Sequence, residues 1–449
     1  MRYTYSGDSL TERDVADFVR LHMSHRDRLQ RLYDYYDGQI RVDKGNKRDL
    51  AANNRLNSNL AQYITDTATS FFVGIPPTYS YDDDRLEELL GDINDANDES
   101  TVDYEVAENM SIAGEGFDLV YISSDKEIRF RSVDPRDAFL IVDDSIESRV
   151  LAGVRLWRKY VRKTPELHGE LYLPGLTRRF RYLGGSVSIY EDMVTPFSRV
   201  NLTEYPNNRH RAGDFARVTD NIDGYNLAIS DVADDLQDTA NAYLVLKGFE
   251  DPDKETLDTL KTQRVLGMPE DSDASFVTKQ LSDVVTANHI KTLRQDIMQV
   301  AKVPDLTDES FSGNASGVAL QYKMWGISQL FRTKSRYMDR GLFARARLIL
   351  DALRITDNYT IGEDISKLMS IKFTQNMPKD TASILDDAIK AQSMVSSETV
   401  REMVAPATGV TAADEKDRME EDATEGDYTE TPQAKKKMSK SKAVTEDGE

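Results

Sequence analysis

The chain of 449 residues contains no cysteine and only five histidines. The absence of cysteine excludes disulfides, zinc ribbons and thiol chemistry. No stretch approaches the roughly 18 apolar residues that a membrane-spanning helix needs, and the N-terminal residues lack the apolar region of a signal peptide. We therefore expect a protein that is made and kept in a cytoplasm and does not contact a membrane.

Cations are fewer than anions. Lysine and arginine total 57 against 78 aspartates and glutamates, which gives a net charge of −21. Such a chain is poorly suited to wrap nucleic acid, because cations are needed to neutralise phosphates; solubility alone explains the excess equally well. The hydrophobic share is also low, at 39%. We expect about three domains, in a chain that is elongated or depends on neighbouring subunits to bury its apolar faces.

The motifs of common enzymes are missing. There is no phosphate-binding P-loop, no dinucleotide-binding glycine pattern and no Gly-x-Ser-x-Gly nucleophile turn. His22 and His25 have a spacing that a metal could use, but no carboxylate flanks them. Asp82–Asp84 could bind Mg²⁺, although an acidic turn before a helix explains them better. We predict no catalytic residue, cofactor or metal ligand, and therefore no enzyme.

The chain instead shows an ordered succession of helix and strand patterns, which predicts an α+β fold. Four helices are predicted first, at residues 9–36, 57–72, 84–97 and 100–113. An antiparallel β block of about six or seven strands follows, from Phe117 to Tyr190. Helices return at residues 220–248 and 283–303, on either side of a small insertion with strand-like pieces at 265–268 and 275–279.

The longest predicted helix, about Val318 to Leu353, is unusually basic for this acidic chain. Its apolar stripe is broken at Lys334 and Arg345, and it carries eight cations against two aspartates. One face of such a helix is either solvated or meets an acidic surface of a neighbouring subunit, or DNA. Beyond it we predict a strand at 371–373 and two short helices. From Thr411 the chain lacks apolar residues and is expected to be disordered.

Several short segments stand in a fixed order along the chain. They are Tyr205–Asn208, Gly213–Val218, Ile222–Asn226, Ser230–Asp231, Phe311–Leu320 and Ser396–Thr399. Their order and spacing resemble the portal proteins of tailed bacteriophages, in the branch found in long-tailed phages. The resemblance covers about residues 10–405. The chain departs from the family at Gly224, where alanine or leucine is usual.

The resemblance implies a ring, usually a homododecamer, at one vertex of the procapsid. Double-stranded DNA would pass through it during packaging and ejection. Its implied partners are other copies of the chain, the terminase large subunit, a head–tail connector, and the scaffolding and major capsid proteins. The implied parts are a wing (1–220), a stem helix (221–248), a clip (249–282), a second stem helix (283–303), a channel loop (304–316), a long wing helix with return strand (317–377), a crown (378–410) and a disordered tail (411–449).

Two sets of candidate site residues follow from the resemblance. The set that would face the channel and its DNA is Asp305, Asp308, Glu309, Asn314, Ser316, Lys291, Arg294 and Lys302. The acids of the loop would repel phosphates, while the three cations would guide DNA or, as we favour, pair with the acidic first stem helix of a neighbour. The set that would contact a neighbouring subunit is Arg332, Arg336, Arg340, Arg345 and Arg347.

Two other classes of protein stay open at this point. One is a nucleic-acid-processing enzyme of the nuclease type, since Glu127 and Asp134 faintly resemble a nuclease core. A following Glu-x-Lys is missing, which argues against it. The other is a different structural protein of the capsid, which would form sheets or hexamers and not a ring with a central hole.

Overall fold

The computed structural model describes most of the chain and divides it into two compact units, Met1–Asn376 and Met377–Glu449. The described residues are 1–7, 9–45, 52–161, 163–240, 243–247, 273–277, 283–307, 317–377, 381–412, 414–416 and 418–419. Each unit is considered by itself below.

Helices are found at both ends of the first unit and make up the described elements of the second. Those of the first unit are α1 (Glu12–Tyr36), α2 (Leu60–Val73), α3 (Asp84–Ala96), α4 (Glu99–Ala113), α5 (Thr219–Ala240), α6 (Asp283–Ala301), α7 (Gly317–Lys323), α8 (Trp325–Thr356) and α9 (Ile365–Leu368). Those of the second are α10 (Thr381–Ala391) and α11 (Ser397–Thr408).

The described strands all lie in the first unit. They are β1 (Arg2–Tyr5), β2 (Thr78–Tyr81), β3 (Glu115–Ile122), β4 (Ile128–Val133), β5 (Ala138–Asp143), β6 (Val150–Val161), β7 (Thr164–Leu173), β8 (Leu176–Leu183), β9 (Ser186–Val194), β10 (Leu202–Pro206), β11 (Tyr243–Lys247), β12 (Asp273–Val277) and β13 (Met369–Lys372). A six-stranded sheet has the order β1-β5-β6-β7-β8-β9, and a three-stranded sheet the order β10-β3-β4. The pairs β11-β12 and β13-β2 form two smaller sheets.

The predicted α+β class and most of the predicted elements are confirmed. Local signals explain the helix starts: Thr11 and Asp14 form a capping box before α1, and Asp83 accepts a hydrogen bond from Leu86 before α3. The strands β1, β2 and β10 were not predicted. Each has only four or five residues, and β1 joins the sheet by a parallel pairing with β5.

Two predicted boundaries are wrong. The helix predicted for residues 220–248 ends at Ala240, and Tyr243–Lys247 form β11, which pairs with β12. The apolar run in β11 suits a strand better than the stripe of a helix. The predicted strand at 265–268 lies outside the described residues. The long basic helix is also not continuous, because α7 and α8 are separated at Met324.

Helix α8 lies at the centre of the largest apolar core. Met338 and Leu342 of α8 pack with Phe72 of α2, Val106 of α4 and Phe130 of β4. A second core joins α1, α2, α5 and α6, and a third lies between α1 and the six-stranded sheet. The first unit is thus organised around α8 and the helix pair α5–α6, which carry most of the predicted site residues.

Candidate functional site

The helix pair α5–α6 corresponds to the predicted stem. Ile222 and Tyr225 of α5 share an apolar core with Ile297 and Met298 of α6, and all four side chains are buried. The same core includes residues of α1 and α2, so the pair is fixed to the helical part of the first unit. After α5 the chain enters the ribbon β11-β12, and α6 follows the ribbon in sequence.

The described start of the predicted channel loop, residues 304–307, is fixed on both sides. The Tyr63 hydroxyl of α2 donates to the Pro304 carbonyl at 3.0 Å and accepts from the Leu306 backbone N–H at 2.9 Å. Arg294 of α6 donates to both carboxylate oxygens of Asp305 and to the Thr307 hydroxyl at 3.2 Å. These contacts anchor the base of the loop to two helices.

The Arg294–Asp305 pair changes the predicted role of both residues. The hydrogen bonds from Arg294, with support from Thr307, lower the pKa of Asp305 to about 2, and the pKa of Arg294 is raised by the same pair. Both groups are therefore ionised at neutral pH and neutralise each other within one chain. Asp305 thus anchors the loop, and its charge is not available to repel phosphates as expected.

The other predicted channel residues are only partly described. Lys291 is exposed on α6 and Lys302 is exposed just beyond its end. Their predicted contact with DNA or with a neighbouring stem helix stays a prediction. Asp308, Glu309, Asn314 and Ser316 lie outside the described residues. Their predicted position in the channel stays a prediction.

Arg345 does not face a neighbouring subunit. Its side chain is only 3% exposed, and Nε donates to Asp118 Oδ2 at 2.7 Å while Nη2 donates to Asp103. The Tyr205 hydroxyl donates to the same Asp118 oxygen at 2.6 Å, and the guanidinium lies 4.5 Å from the centre of the Phe130 ring. The prediction of an inter-subunit role for Arg345 is therefore wrong, because its partners are inside the subunit.

Lys334 is the second buried cation of α8. Its Nζ lies 2.7 Å from Asp214 Oδ2, and both side chains are 2% exposed. Asp214 also accepts hydrogen bonds from Ser111 at 2.6 Å and from Asn207 at 2.8 Å. The sequence suggested that Lys334 and Arg345 break the apolar stripe of α8. Instead, both cations lie within the buried face and pair with acidic side chains.

These two networks explain part of the motif that carries the family resemblance. Tyr205 and Asn207 belong to one motif segment and Asp214 to the next. Tyr205 contacts Asp118 of β3 and Arg345 of α8, whereas Asp214 contacts Lys334 of α8 and Ser111 of α4 and is held in the turn by Asn207. Gly341 of α8 allows the contact, since a side chain there would overlap the Tyr205 ring. The motif segments therefore attach the start of α5 to α8.

The remaining cations of α8 differ in exposure. Arg347 donates to Asp364 at 3.0 Å within the same chain, and its side chain is 30% exposed. Arg332, Arg336 and Arg340 are exposed. These three are the ones that a neighbouring subunit could reach, and that role stays a prediction.

Sequence reasoning missed Tyr63, Asp103 and Asp118. The available signal was Asp118, a carboxylate within the otherwise apolar centre of β3. Asp103 had no such signal, because α4 carries several acids and only the fold shows which one is buried. Tyr63 could not be distinguished from the other tyrosines of the chain.

The alternative sites considered in the sequence have structural roles. His22 is buried beside the Arg136 carbonyl, with Nε2 at 3.0 Å, and burial lowers its pKa to about 4. Asp83 caps α3. Within the described part of the chain, no group of three histidine or acidic side chains could hold a metal ion, and no helix is long and apolar enough to cross a membrane.

Comparisons with known proteins agree on one family. The family described as "Phage portal protein, SPP1 Gp6-like" matches residues 19–427. The portal protein of Bacillus phage SPP1 is 22% identical over 395 residues, which cover 83% of this chain and 76% of that protein. The portal protein of Clostridium phage phiCD119 is 22% identical over 369 residues, which cover 77% of this chain and 80% of that protein.

Two solved structures were also similar at 11% identity. One is the neck of an empty gene transfer agent particle, with a TM-score of 0.45 over 77% of this chain and 90% of the other. The second is the virion of a native gene transfer agent particle, with a TM-score of 0.46 over 77% of this chain and 89% of the other.

Proposed function

Because the chain belongs to the SPP1 Gp6-like family of phage portal proteins, we propose that it assembles into a closed ring through which double-stranded DNA enters and leaves the capsid. The ring would occupy one vertex of the procapsid and remain there in the virion, after assembly in the host cytoplasm. Twelve copies of the 50.8 kDa chain would form a particle of about 610 kDa.

The observation that carries the proposal is the exposed apolar surface of the stem. Val284 and Val285 of α6 are 71% and 67% exposed, Val300 is 52% exposed, and Leu236 of α5 is 64% exposed. These side chains lie on a helix pair whose other face is already buried against α1 and α2. Neighbouring subunits in a ring would cover these side chains. A contact between two different faces, repeated from subunit to subunit, gives a closed ring when the rotation between subunits divides a full turn.

We also propose which elements form each part of the ring. We assign α5 and α6 to the stem, the segment between them to the clip, residues 304–316 to the channel loop and residues 378–410 to the crown. Residues 1–220 and 317–377 would form the wing, and residues 411–449 a tail. The first stem helix is shorter than its predicted range, because β11 begins at Tyr243.

Within the channel, DNA would slide past a wall that does not retain it. A net charge of −21 suits that function, because a wall that neutralised phosphates would bind the duplex. The base of the channel loop is anchored by Tyr63 and Arg294, so the part that meets DNA would be residues 308–316. Asp308 and Glu309 would keep that part repulsive toward phosphates.

The protein would act by assembly and not by catalysis. The energy for packaging would come from the terminase large subunit bound at the clip, and the head–tail connector would later take that position. Scaffolding and major capsid proteins would contact the ring from the shell. The exposed cations Lys291 and Lys302 are candidates for contact with DNA or with a neighbouring stem.

Light scattering coupled to size-exclusion chromatography, with negative-stain microscopy of the same fractions, tests the proposal. We expect a particle of about 610 kDa with a central hole, at micromolar protein in ordinary salt. A stable monomer under these conditions would contradict it. Closed hexamers or flat sheets without a central hole would instead favour another capsid protein.

A further inference from the structure

A cleft of about 800 Å³ opens beside α8 in the first unit. Its floor is aliphatic, with Leu140, Leu202 and Leu348 among the lining residues. Its rim is basic, and the arginines that line it are Arg2, Arg149, Arg199, Arg209, Arg211 and Arg340. Glu204 is the one acidic residue of the lining. A concentration of arginine in an acidic chain indicates a surface built for an acidic partner.

Two of the arginines are neutralised inside the subunit. Arg2 and Arg211 both donate to Glu204, whose side chain is 1% exposed, and Arg211 also lies 3.7 Å from Glu115. Burial raises the pKa of Glu204, but the hydrogen bonds from Arg211 together with the charges of the N-terminus, Arg2 and Arg211 outweigh it and lower that pKa to about 2. These residues fix the wall of the cleft and are not free to bind a partner.

In the part of the chain that the structure describes, the other four arginines are not neutralised by a buried acidic side chain. Arg149 pairs with Glu147 where both are largely exposed, and Arg199 is 3.9 Å from Asp351. Arg209 and Arg340 are exposed and form no ion pair among the described residues. The cleft therefore presents net positive charge above an apolar floor.

An acidic surface lies on α3. Leu86 and Leu90 are buried and hold the helix on the subunit. The acids exposed along the helix are Asp84, Glu87, Glu88, Asp92 and Asp95. Its one cation, Arg85, stacks on the Tyr359 ring at 5.3 Å. Half-buried Leu89 and Ile93 pack against the same core as Leu86 and Leu90, so the outer face of α3 is a row of carboxylates.

The cleft and α3 lie on opposite sides of α8. Leu342 and Ile349 line a small cavity together with Leu90 of α3, whereas Arg340, Ala344 and Leu348 line the cleft. With 3.6 residues per turn, these two sets are separated by roughly 150° around the helix. A ring joins one face of each subunit to a different face of the next, so complementary patches on opposite sides are what such a contact requires.

We propose that the arginine cleft of one subunit receives the acidic helix α3 of its neighbour, with Arg209 and Arg340 facing the carboxylates of α3. The inference rests on the proposed ring and names the surfaces that close it. Helix α3 suits the cleft better than a DNA backbone does, because its carboxylates lie on the side of α8 opposite the cleft, as a contact between successive subunits of a ring requires, and because a chain with a net charge of −21 is poorly suited to bind phosphates.

Charge exchange between the two surfaces tests the contact. We expect R209E/R340E and E88K/D92K each to raise the protein concentration needed for half-assembly at least about tenfold, because attractive pairs become repulsive. The variant with all four substitutions has the wild-type net charge and should recover most of the assembly. R13E/R20E is the matched control, since both arginines are exposed on α1 and the net charge changes equally.

The absence of cysteine allows a direct test of proximity. Cysteine pairs placed at Arg340 with Glu88 and at Arg209 with Asp92 should give a ladder of covalent multimers with a short bismaleimide, and each single cysteine should give none beyond dimers. A ring that assembles but yields no ladder, together with charge variants that assemble like the wild type, would overturn the inference. Failure of the wild type to form any ring would instead refute the proposed function.

The other possible occupants give different results. If R209E/R340E keeps the ring but loses binding of a fluorescent DNA duplex, the cleft is a phosphate-binding surface and the inference is wrong. If a chain that ends at Val410 assembles as poorly as R209E/R340E, the acidic tail is the occupant and the inference is again wrong. We expect neither result.

Discussion

Replacing Arg345 by methionine tests whether buried charges fix the long helix α8 inside its subunit. Methionine has a similar reach and no charge, so the substitution removes the cation with little change in packing. The carboxylates of Asp103 and Asp118, which are 1% and 0% exposed, then lose their cation. The Tyr205 hydroxyl would still donate to Asp118.

The expected loss is large for a single substitution. Removing one partner of a buried ion pair costs about 3–5 kcal/mol, because the other charge stays buried without compensation. Asp103 can escape part of this cost by binding a proton as the pH falls, because burial already raises its pKa. We therefore expect a loss of about 3–5 kcal/mol near pH 8 and a smaller loss near pH 5.

Urea denaturation followed by circular dichroism, at one fixed protein concentration, measures the loss. The fixed concentration is needed because assembly adds to the apparent stability. R347M is the matched control: Arg347 and Asp364 are 30% and 53% exposed, and such pairs contribute about 0–1 kcal/mol. Adding D103N and D118N to R345M should restore a large part of the loss, since neutral amides tolerate burial better.

A loss below about 1 kcal/mol near pH 8, or equal losses in R345M and R347M, would refute this reasoning. The same holds if D103N and D118N make R345M less stable. Any of these three results would mean that the buried network does not hold α8 against β3 and α4.

The remaining predictions concern pH, the loop, the tail and catalysis. Burial raises the pKa of Glu99 from 4.5 to about 7, so between these pH values Glu99 binds a proton in the folded chain but not in the unfolded one. The melting temperature should therefore fall as the pH rises from about 4.5 to 7, and E99Q should reduce this fall. D308K/E309K should leave the ring intact but slow packaging by purified terminase, and wild-type packaging would show that the loop does not meet DNA. A chain that ends at Val410 should still assemble, as measured by light scattering. The purified ring should hydrolyse no ATP, and Mg²⁺-dependent turnover lost on substitution of Asp82–Asp84 would contradict this.

Local periodicity was enough to predict most of the elements. The stripe of α1 and the alternation along β6 to β8 depend on neighbouring residues, and the sequence shows them directly. Pairing between distant segments has no such signal. Thus β1 joins β5 in parallel and β2 pairs with β13 across nearly 300 residues, neither of which a local pattern can indicate.

The candidate site was predicted less completely, for a related reason. Lys334 and Arg345 interrupt an apolar stripe when α8 is considered alone, and exposure was the natural interpretation. Their acidic partners lie in α4, β3 and the turn after β10, far away in the sequence. Only the fold shows that these charges meet. The pattern of cations along one helix therefore cannot tell which of them are buried and which are exposed.

The difference between buried and exposed cations matters for the function, because α8 carries the two kinds on different faces. Arg345 and Lys334 face the core and attach the helix to its own subunit. Arg340 lines the cleft on the other side, where the proposed neighbour would bind. Substitution at Arg345 should therefore lower the stability of the subunit first, whereas substitution at Arg340 should weaken assembly of a subunit that stays folded.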